Sequence, residues 1–431
     1  MRLATLLTVI VALTLGVASA AETATWTAPA TIRSCGPAAE PKVIFPYSIP
    51  QTRSGKGAIV WLGRAPACAG AAGTTLDGAS LHSNDTLSLP RPLVRGSGAL
   101  GPLEVAMTTK GQIVTAFGRG GDGAVLGEGV AGTTFSTPSP LGGPAGLVAT
   151  ANGYIGDADV VTTADDGGTR VIELRAQRHY ESSFQPPVSF GVGPAPITAL
   201  TVGMDFRADS IILWAQRGEV YARWINNVGH VFPTRVLGPA GYAPQLAAVL
   251  SDNNHAFVMW TDEPRPGVVG PTTIYLEHSG NNVTFGAPRA LVTFTEPTAQ
   301  RLTPGAVMLA RMSPSEGVLA AWTSMIAGSY VVEAAGLTSR GALPPATIAE
   351  QGQDVRLATV ATGPHDDAVA VVEEAPRAAG GFDGTHQAIL AARTVPGGPG
   401  GTSFETPAQL AAPGENSAPS VAIDPATDRA V

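Results

Sequence analysis

Lysine is almost missing from this chain, which has only Lys42, Lys56 and Lys110, and charged residues of both signs make up 14% of it. A soluble domain carries roughly a quarter. The net charge is -8, with no long acidic or basic block, so nucleic acid and anionic membrane surfaces are excluded as expected partners. Helix-forming windows are also scarce, because 52 Gly and 36 Pro are spread over the whole length and each interrupts a helix interior. Beyond residue 17 no apolar run reaches the length a membrane-spanning helix needs. The cysteines number two, Cys35 and Cys68. An even count in an exported chain favours one disulfide, since two thiolates without a nearby His pair cannot complete a zinc shell. The seven histidines are scattered, and there is no His-Glu-x-x-His, no Gly-x-Ser-x-Gly elbow and no phosphate-cradling loop. No metal or cofactor is expected.

What is present begins with "MRLATLLTVIVALTLGVASAAE", which has Arg2, an apolar stretch from about Leu6 to Val17, and Ala18-Ser19-Ala20 ahead of Ala21. That is the layout of a secretory signal peptide over residues 1–20. The expectation is a secreted, soluble, monomeric mature protein covering residues 21–431. The richness in Ala, Gly and Pro, with Arg in place of Lys, looks like the imprint of a GC-rich bacterial genome. The remaining length exceeds what one ordinary core fills, so the chain is either several domains or a closed array.

A repeat decides between these. Apolar runs end on a large residue at Trp61, Phe117, Asp159, Trp214, Trp260, Trp322 and Val372, at intervals of 56, 42, 55, 46, 62 and 50 residues. Pro46, Pro102 and Pro144 lie 15 residues upstream of their anchors, Pro244 lies 16, and Pro196 and Pro304 lie 18. Between proline and anchor the pattern is strand, turn, strand, as in "LEVAMTTKGQIVTAF", which is a hairpin signature. A third strand follows, clear in "EVYARW" and "TTIYLEH". A fourth element closes six of the seven units with an apolar residue, Pro three positions on, and another apolar residue three beyond, while in "VFPTRVL" the proline shifts to Pro233. It recurs as Leu87-Pro90-Leu93, Phe135-Pro138-Leu141, Phe184-Pro187-Phe190, Phe285-Pro288-Leu291, Ala342-Pro345-Ile348 and Phe404-Pro407-Leu410. Proline cannot donate to a sheet ladder, so this strand is expected at the outer edge.

Four antiparallel strands repeated about every fifty residues predict an all-β fold, a β-propeller of four-stranded blades. A string of β-sandwiches would repeat nearer 100 residues. The expected count is seven complete repeats, starting near 46, 102, 144, 196, 244, 304 and 353, with a partial eighth from 419. "WTAPATI", with Trp26, Pro29 and Ile32 in fourth-strand spacing, is expected to complete the sheet that the tail begins, which would make the chain truncated within that unit.

Residues just past the anchors are expected on one rim of the ring, where loops from successive blades converge. They are Arg64, Arg119, Gln216 with Arg217, Asp262 with Glu263, Ser324, and Glu373 with Glu374. Among these, Arg64, Arg119, Gln216, Asp262, Glu263 and Glu374 are the candidate ligand contacts, and no catalytic residue is assigned. The alternative is a set of solvated loop charges. "TADDGGTR", from Thr163 to Arg170, resembles the Asp-box turn of sialidases, with Thr163, Asp165, Gly167 and Thr169 in register and Arg170 where that motif has an aromatic. The same residues also read as a plain Asp-Gly-Gly hairpin turn. "YSIP", Tyr47 to Pro50, resembles the Tyr-Arg-Ile-Pro segment of sialidases, with Ser48 where the arginine that would grip a sialic acid carboxylate belongs. In rhythm the chain is similar to secreted bacterial propellers of the sialidase and BNR-repeat group. That resemblance implies an extracellular binding or scaffold protein that recognises a glycan or protein through rim loops. It also implies an alternative, a glycoside hydrolase or polysaccharide lyase using paired rim carboxylates.

Overall fold

The structure, a computed structural model, describes residues 38–431 except 45–56, 66–72, 83–85, 97–99, 108–111, 120–122, 131–138, 141–145, 154–156, 179–180, 182, 252–254, 266, 281–283, 296–306, 312–316, 339–340, 350–352, 364–366, 379–380, 383–386, 395–402, 415–418 and 425–428. The expected signal peptide, Trp26, "YSIP", Cys35 and Cys68 lie outside the described residues.

Every regular element among the described residues is a β-strand. Six antiparallel sheets of four strands occupy residues 38–96, 100–140, 148–193, 197–239, 246–295 and 354–414, and we call these the first to fifth blades and the last blade. In each, the strands lie side by side in chain order. The expected count of seven complete repeats with a partial eighth is not supported. Between the fifth and the last blade lies a five-stranded sheet. Its long strand Ser329–Thr338 pairs first with Gly341–Ala342 and then, further along the same edge, with Ala346–Ala349. Pro344 and Pro345 interrupt the ladder between these two partners, so one edge serves two strands. Near the end, Ile423–Asp424 pairs with Arg429–Ala430 as a two-stranded ribbon.

The first strands of successive sheets touch in sequence, from Ala38–Ile44 through Leu100–Met107, Val148–Asn152, Ile197–Met204, Leu246–Leu250 and Val307–Arg311 to Asp354–Thr362. The approach is tight at Gly203, where a Cβ would stand 2.7 Å from the carbonyl oxygen of Ala248. The prolines of the fourth element behave as their chemistry demands. Pro90, Pro187, Pro288, Pro345 and Pro407 each stand immediately before an outermost strand, Arg91–Gly96, Val188–Gly193, Arg289–Thr295, Ala346–Ala349 and Ala408–Gly414. At the start of an edge strand a residue without an N–H costs the ladder no bond.

The core is a series of layers between sheets. Ile172, Leu174 and Phe190 of the third blade pack on Ile212 and Trp214 of the fourth, and Leu213, Val220 and Trp224 of the fourth pack on Val258 and Trp260 of the fifth. The anchor aromatics reach back to the preceding blade. Trp214 lies 5.9 Å from Phe190, and the indole N–H of Trp260 donates to the carbonyl of Pro239 at 2.9 Å. Trp61, Trp214, Trp260, Trp322 and Val372 each fill the fifth position of a second strand. In the third blade that position belongs to Thr162, not to Asp159. The sequence alignment on Asp159 was therefore three residues out of phase, because "ADVVT" offers no aromatic at the anchor.

Candidate functional site

A cleft of about 420 Å³ opens at the seam between the third and fourth blades, on the rim where the second strands end. Gly146, Leu147, Thr163, Ala164, Asp165 and Arg170 line it from the third blade, and Pro196 and Ile197 from the fourth. Backbone hydrogen bonds build the first side. The N–H of Gly146 donates to the carbonyl of Thr163 and that of Thr163 to the carbonyl of Leu147, both at 3.0 Å. The Thr163 hydroxyl then accepts from the Leu147 N–H at 2.8 Å. A Cβ on Gly146 would stand 2.9 Å from that hydroxyl oxygen, so glycine is the residue that fits. Thr261 repeats the device in the fifth blade, its hydroxyl accepting from the Gln245 N–H at 2.9 Å.

The polar end of the cleft is the hairpin "DDGGT". Gly167 and Gly168 have φ of +60° and +89°, the left-handed pair that a two-residue hairpin turn requires. This is the geometry of a tight hairpin, and it sets Asp165 directly opposite Arg170 in the ladder. Their side chains pair at 2.8 Å, Arg170 Nη1 to Asp165 Oδ2. The other carboxylate oxygen accepts from the Gly168 N–H at 2.9 Å. Both side chains stay partly in water, at 41% and 37% exposure. Leu147, Pro196 and Ile197 provide apolar wall beside this fixed pair of an acceptor and a fork of donors, the mixture that small-molecule clefts show.

The residues expected from the sequence sit at second-strand ends of different blades. Arg64 and Arg119 fall in the closing residues of the strands Gly57–Ala65 and Gln112–Arg119. Gln216 is buried, and its amide donates to the carbonyl of Ala195 at 2.6 Å. It thereby holds the segment that presents Pro196 to the cleft. Asp262 is half-buried, and burial pushes its carboxyl above the usual range. Glu263 is buried, and its carbonyl accepts from the Tyr242 N–H at 3.0 Å. The backbone there runs so close to Gly241 that a Cβ would overlap the Glu263 nitrogen at 2.1 Å. Glu373 is buried and pairs with Arg356, while Glu374 is half-buried on the opposite face of the same strand. Among the described residues no three His, Cys, Asp or Glu side chains cluster as metal ligands, and no helix is long and apolar enough to cross a membrane.

Asp165 and Arg170, marked in the sequence only as part of a hairpin turn, are absent from the expected rim contacts, because the anchor position of that repeat holds Thr162 and no aromatic. The Asp-Gly-Gly turn was the better phase marker, since a hairpin turn fixes where the second strand stops.

No family model and no curated relative matches the chain. Among solved structures, the BP39L lectin from Burkholderia pseudomallei is similar at 15% identity and a TM-score of 0.53, over 86% of this chain and 99% of that one. The fold is a β-propeller. At this identity the likeness extends to the fold alone. A polysaccharide lyase, the PL25 ulvan lyase, aligns at 11% identity and a TM-score of 0.45, over 88% of this chain and 95% of that one. A lectin from Aleuria aurantia aligns at 11% identity and a TM-score of 0.40, over 72% and 95%.

Proposed function

We propose that this propeller is an extracellular, noncatalytic carbohydrate-binding protein, and that the cleft between its third and fourth blades takes a sugar ring. The observation that carries the reading is the paired Asp165 and Arg170 at the mouth of an apolar cleft. A pyranose offers adjacent hydroxyls that both give and accept hydrogen bonds, and one face of C–H groups. Asp165 accepts from one hydroxyl, Arg170 donates to the next, and the C–H face lies against Leu147, Pro196 and Ile197. Gln216 supports this wall through Ala195. The half-buried Asp262 and Glu374, near the second-strand ends of the fifth and last blades, are proposed as contacts for the longer arms of a glycan, together with Arg64 and Arg119, whereas Glu263 is buried. A lectin of the same fold agrees with this reading without establishing it. Glycosidase chemistry by paired carboxylates needs two such groups about 5–10 Å apart, and among the described cleft residues the carboxylate is Asp165.

The test is a glycan array probed with the full chain and with Arg170→Ala and Asp165→Asn variants, run beside hydrolysis and lyase assays on the hits. Binding by the parent chain, lost about tenfold or more in both variants, supports the reading. Turnover of a bound glycan, or binding indifferent to both substitutions, contradicts it. The pair is exposed, so removing it changes stability by only about 0–1 kcal/mol, and loss of binding is then not loss of fold.

A further inference from the structure

The seam that holds the cleft carries a second polar cluster at its other end. Strand residues two apart share a face, so Asp159, Val161, Thr163 and Asp165 of the strand Ala158–Asp166 all turn toward the fourth blade. Val161 packs there with Ile212 and Trp214. Thr163 and Asp165 line the cleft. Six residues from Asp165, roughly 20 Å along the strand, Asp159 is wholly buried. Its Oδ1 lies 3.3 Å from Nη1 of the buried Arg178, at the end of its own blade's third strand. Its Oδ2 accepts a hydrogen bond from the hydroxyl of Ser210, which begins the fourth blade's second strand. A single carboxylate therefore ties two blades together.

Besides Arg178, the charged group that acts on it is Asp157, and two further carboxylates lie in the turn before Ser210. Asp157 is buried two residues back on the same face. From the fourth blade, the turn before Ser210 brings Asp205, whose Oδ1 accepts from the N–H groups of Arg207 and Asp209, and Asp209, whose Oδ1 accepts from that of Asn227. Both turn carboxylates thus have backbone donors within their own blade.

We propose that Asp159 and Ser210 form an acid-sensitive latch across the seam between the third and fourth blades, and that the state of the latch sets the fit of the cleft at the other end of the same strand. Only the cleft's use as a binding site rests on the function proposed above; the latch does not. Burial pushes the Asp159 carboxyl up to about 6, against the opposing pull of Arg178 and Ser210 and with a smaller push from Asp157. The Ser210 bond favours the ionised form, so by reciprocity ionisation strengthens the Ser210 bond. Above that pH the carboxylate holds both partners. Below it the cross-blade bond becomes a weaker neutral one, and Arg178 loses its counter-charge at Asp159. The strand Ala158–Asp166 then moves more freely against the fourth blade, carrying Thr163 and Asp165 relative to Pro196 and Ile197.

The experiment is methyl NMR on the ligand-free full chain, following Leu147 and Ile197 from pH 5 to 8. In the parent, both methyl groups are expected to shift with a midpoint near 6. In Ser210→Ala the midpoint moves upward, and in Asp159→Asn the titration disappears. Methyl shifts that stay flat over this range, or that titrate equally in Asp159→Asn, overturn the latch. If Asp159→Asn does not fold, the direction of the Ser210→Ala midpoint decides alone, and an unmoved midpoint overturns it. No glycan is present, so a failed array leaves this result standing and a failed titration leaves the array standing.

Discussion

Glu277 sits in an environment foreign to its type. It sits in the third strand of the fifth blade, 4% exposed, directly opposite Val258. Neither of its carboxylate oxygens has a hydrogen-bond partner among the described residues. Burial raises its carboxyl from 4.5 to about 7. The native state therefore holds a proton that the unfolded chain releases between these values. Its contribution to stability is complete below pH 4.5 and is lost as pH rises through about 7. Glu277→Gln is expected to flatten this fall, leaving the variant roughly 2–3 kcal/mol more stable than the parent at pH 8 and similar to it at pH 4. Urea unfolding at the two pH values checks this. At the cleft, Gly146→Ala is expected to displace the Thr163 hydroxyl and cost about 1–3 kcal/mol in stability, because the Leu147 N–H loses its acceptor. Neither residue's environment was legible in the sequence. "TTIYLEH" announces a strand, but whether a glutamate in it faces water or a tryptophan layer depends on the blade beside it.

At the scale of elements, three hairpins between second and third strands, in the third and fourth blades and the five-stranded sheet, share one geometry and differ in how well their residues suit it. Gly167-Gly168, Arg217-Gly218 and Ala327-Gly328 all have positive φ at both positions. Glycine takes this without strain, whereas Arg217 at +57° and Ala327 at +50° do not. Ala327→Gly is expected to stabilise the chain by about 1 kcal/mol, measured as a rise in the denaturant midpoint at unchanged slope. The prolines were legible at this scale because their meaning is local: a residue without an N–H goes to an edge. The aromatic anchors were legible wherever one existed. Thr162 broke the series, and the phase error at Asp159 followed. The doubled edge of Ser329–Thr338 was not legible either, since its extra strand has only two residues.

For the whole molecule, a propeller of small sheets places its chemistry at the seams, because each blade buries its faces against its neighbours and leaves strand ends and outer edges free. The fold class followed from the repeat period, a property of the sequence alone. The cleft could not, since it needs Thr163 and Asp165 from one repeat and Pro196 and Ile197 from the next at a spacing that packing decides. The fifth blade offers a contrast on the same rim, with Tyr242, Val268 and Val269 exposed near Glu263. The most direct measurement is the mapping of chemical-shift changes when the strongest array hit is titrated into the full chain. The account predicts saturable changes at Leu147, Thr163 and Ile197. Changes confined to Tyr242 and Asp262 through Val269, with the third–fourth seam unmoved, would contradict it.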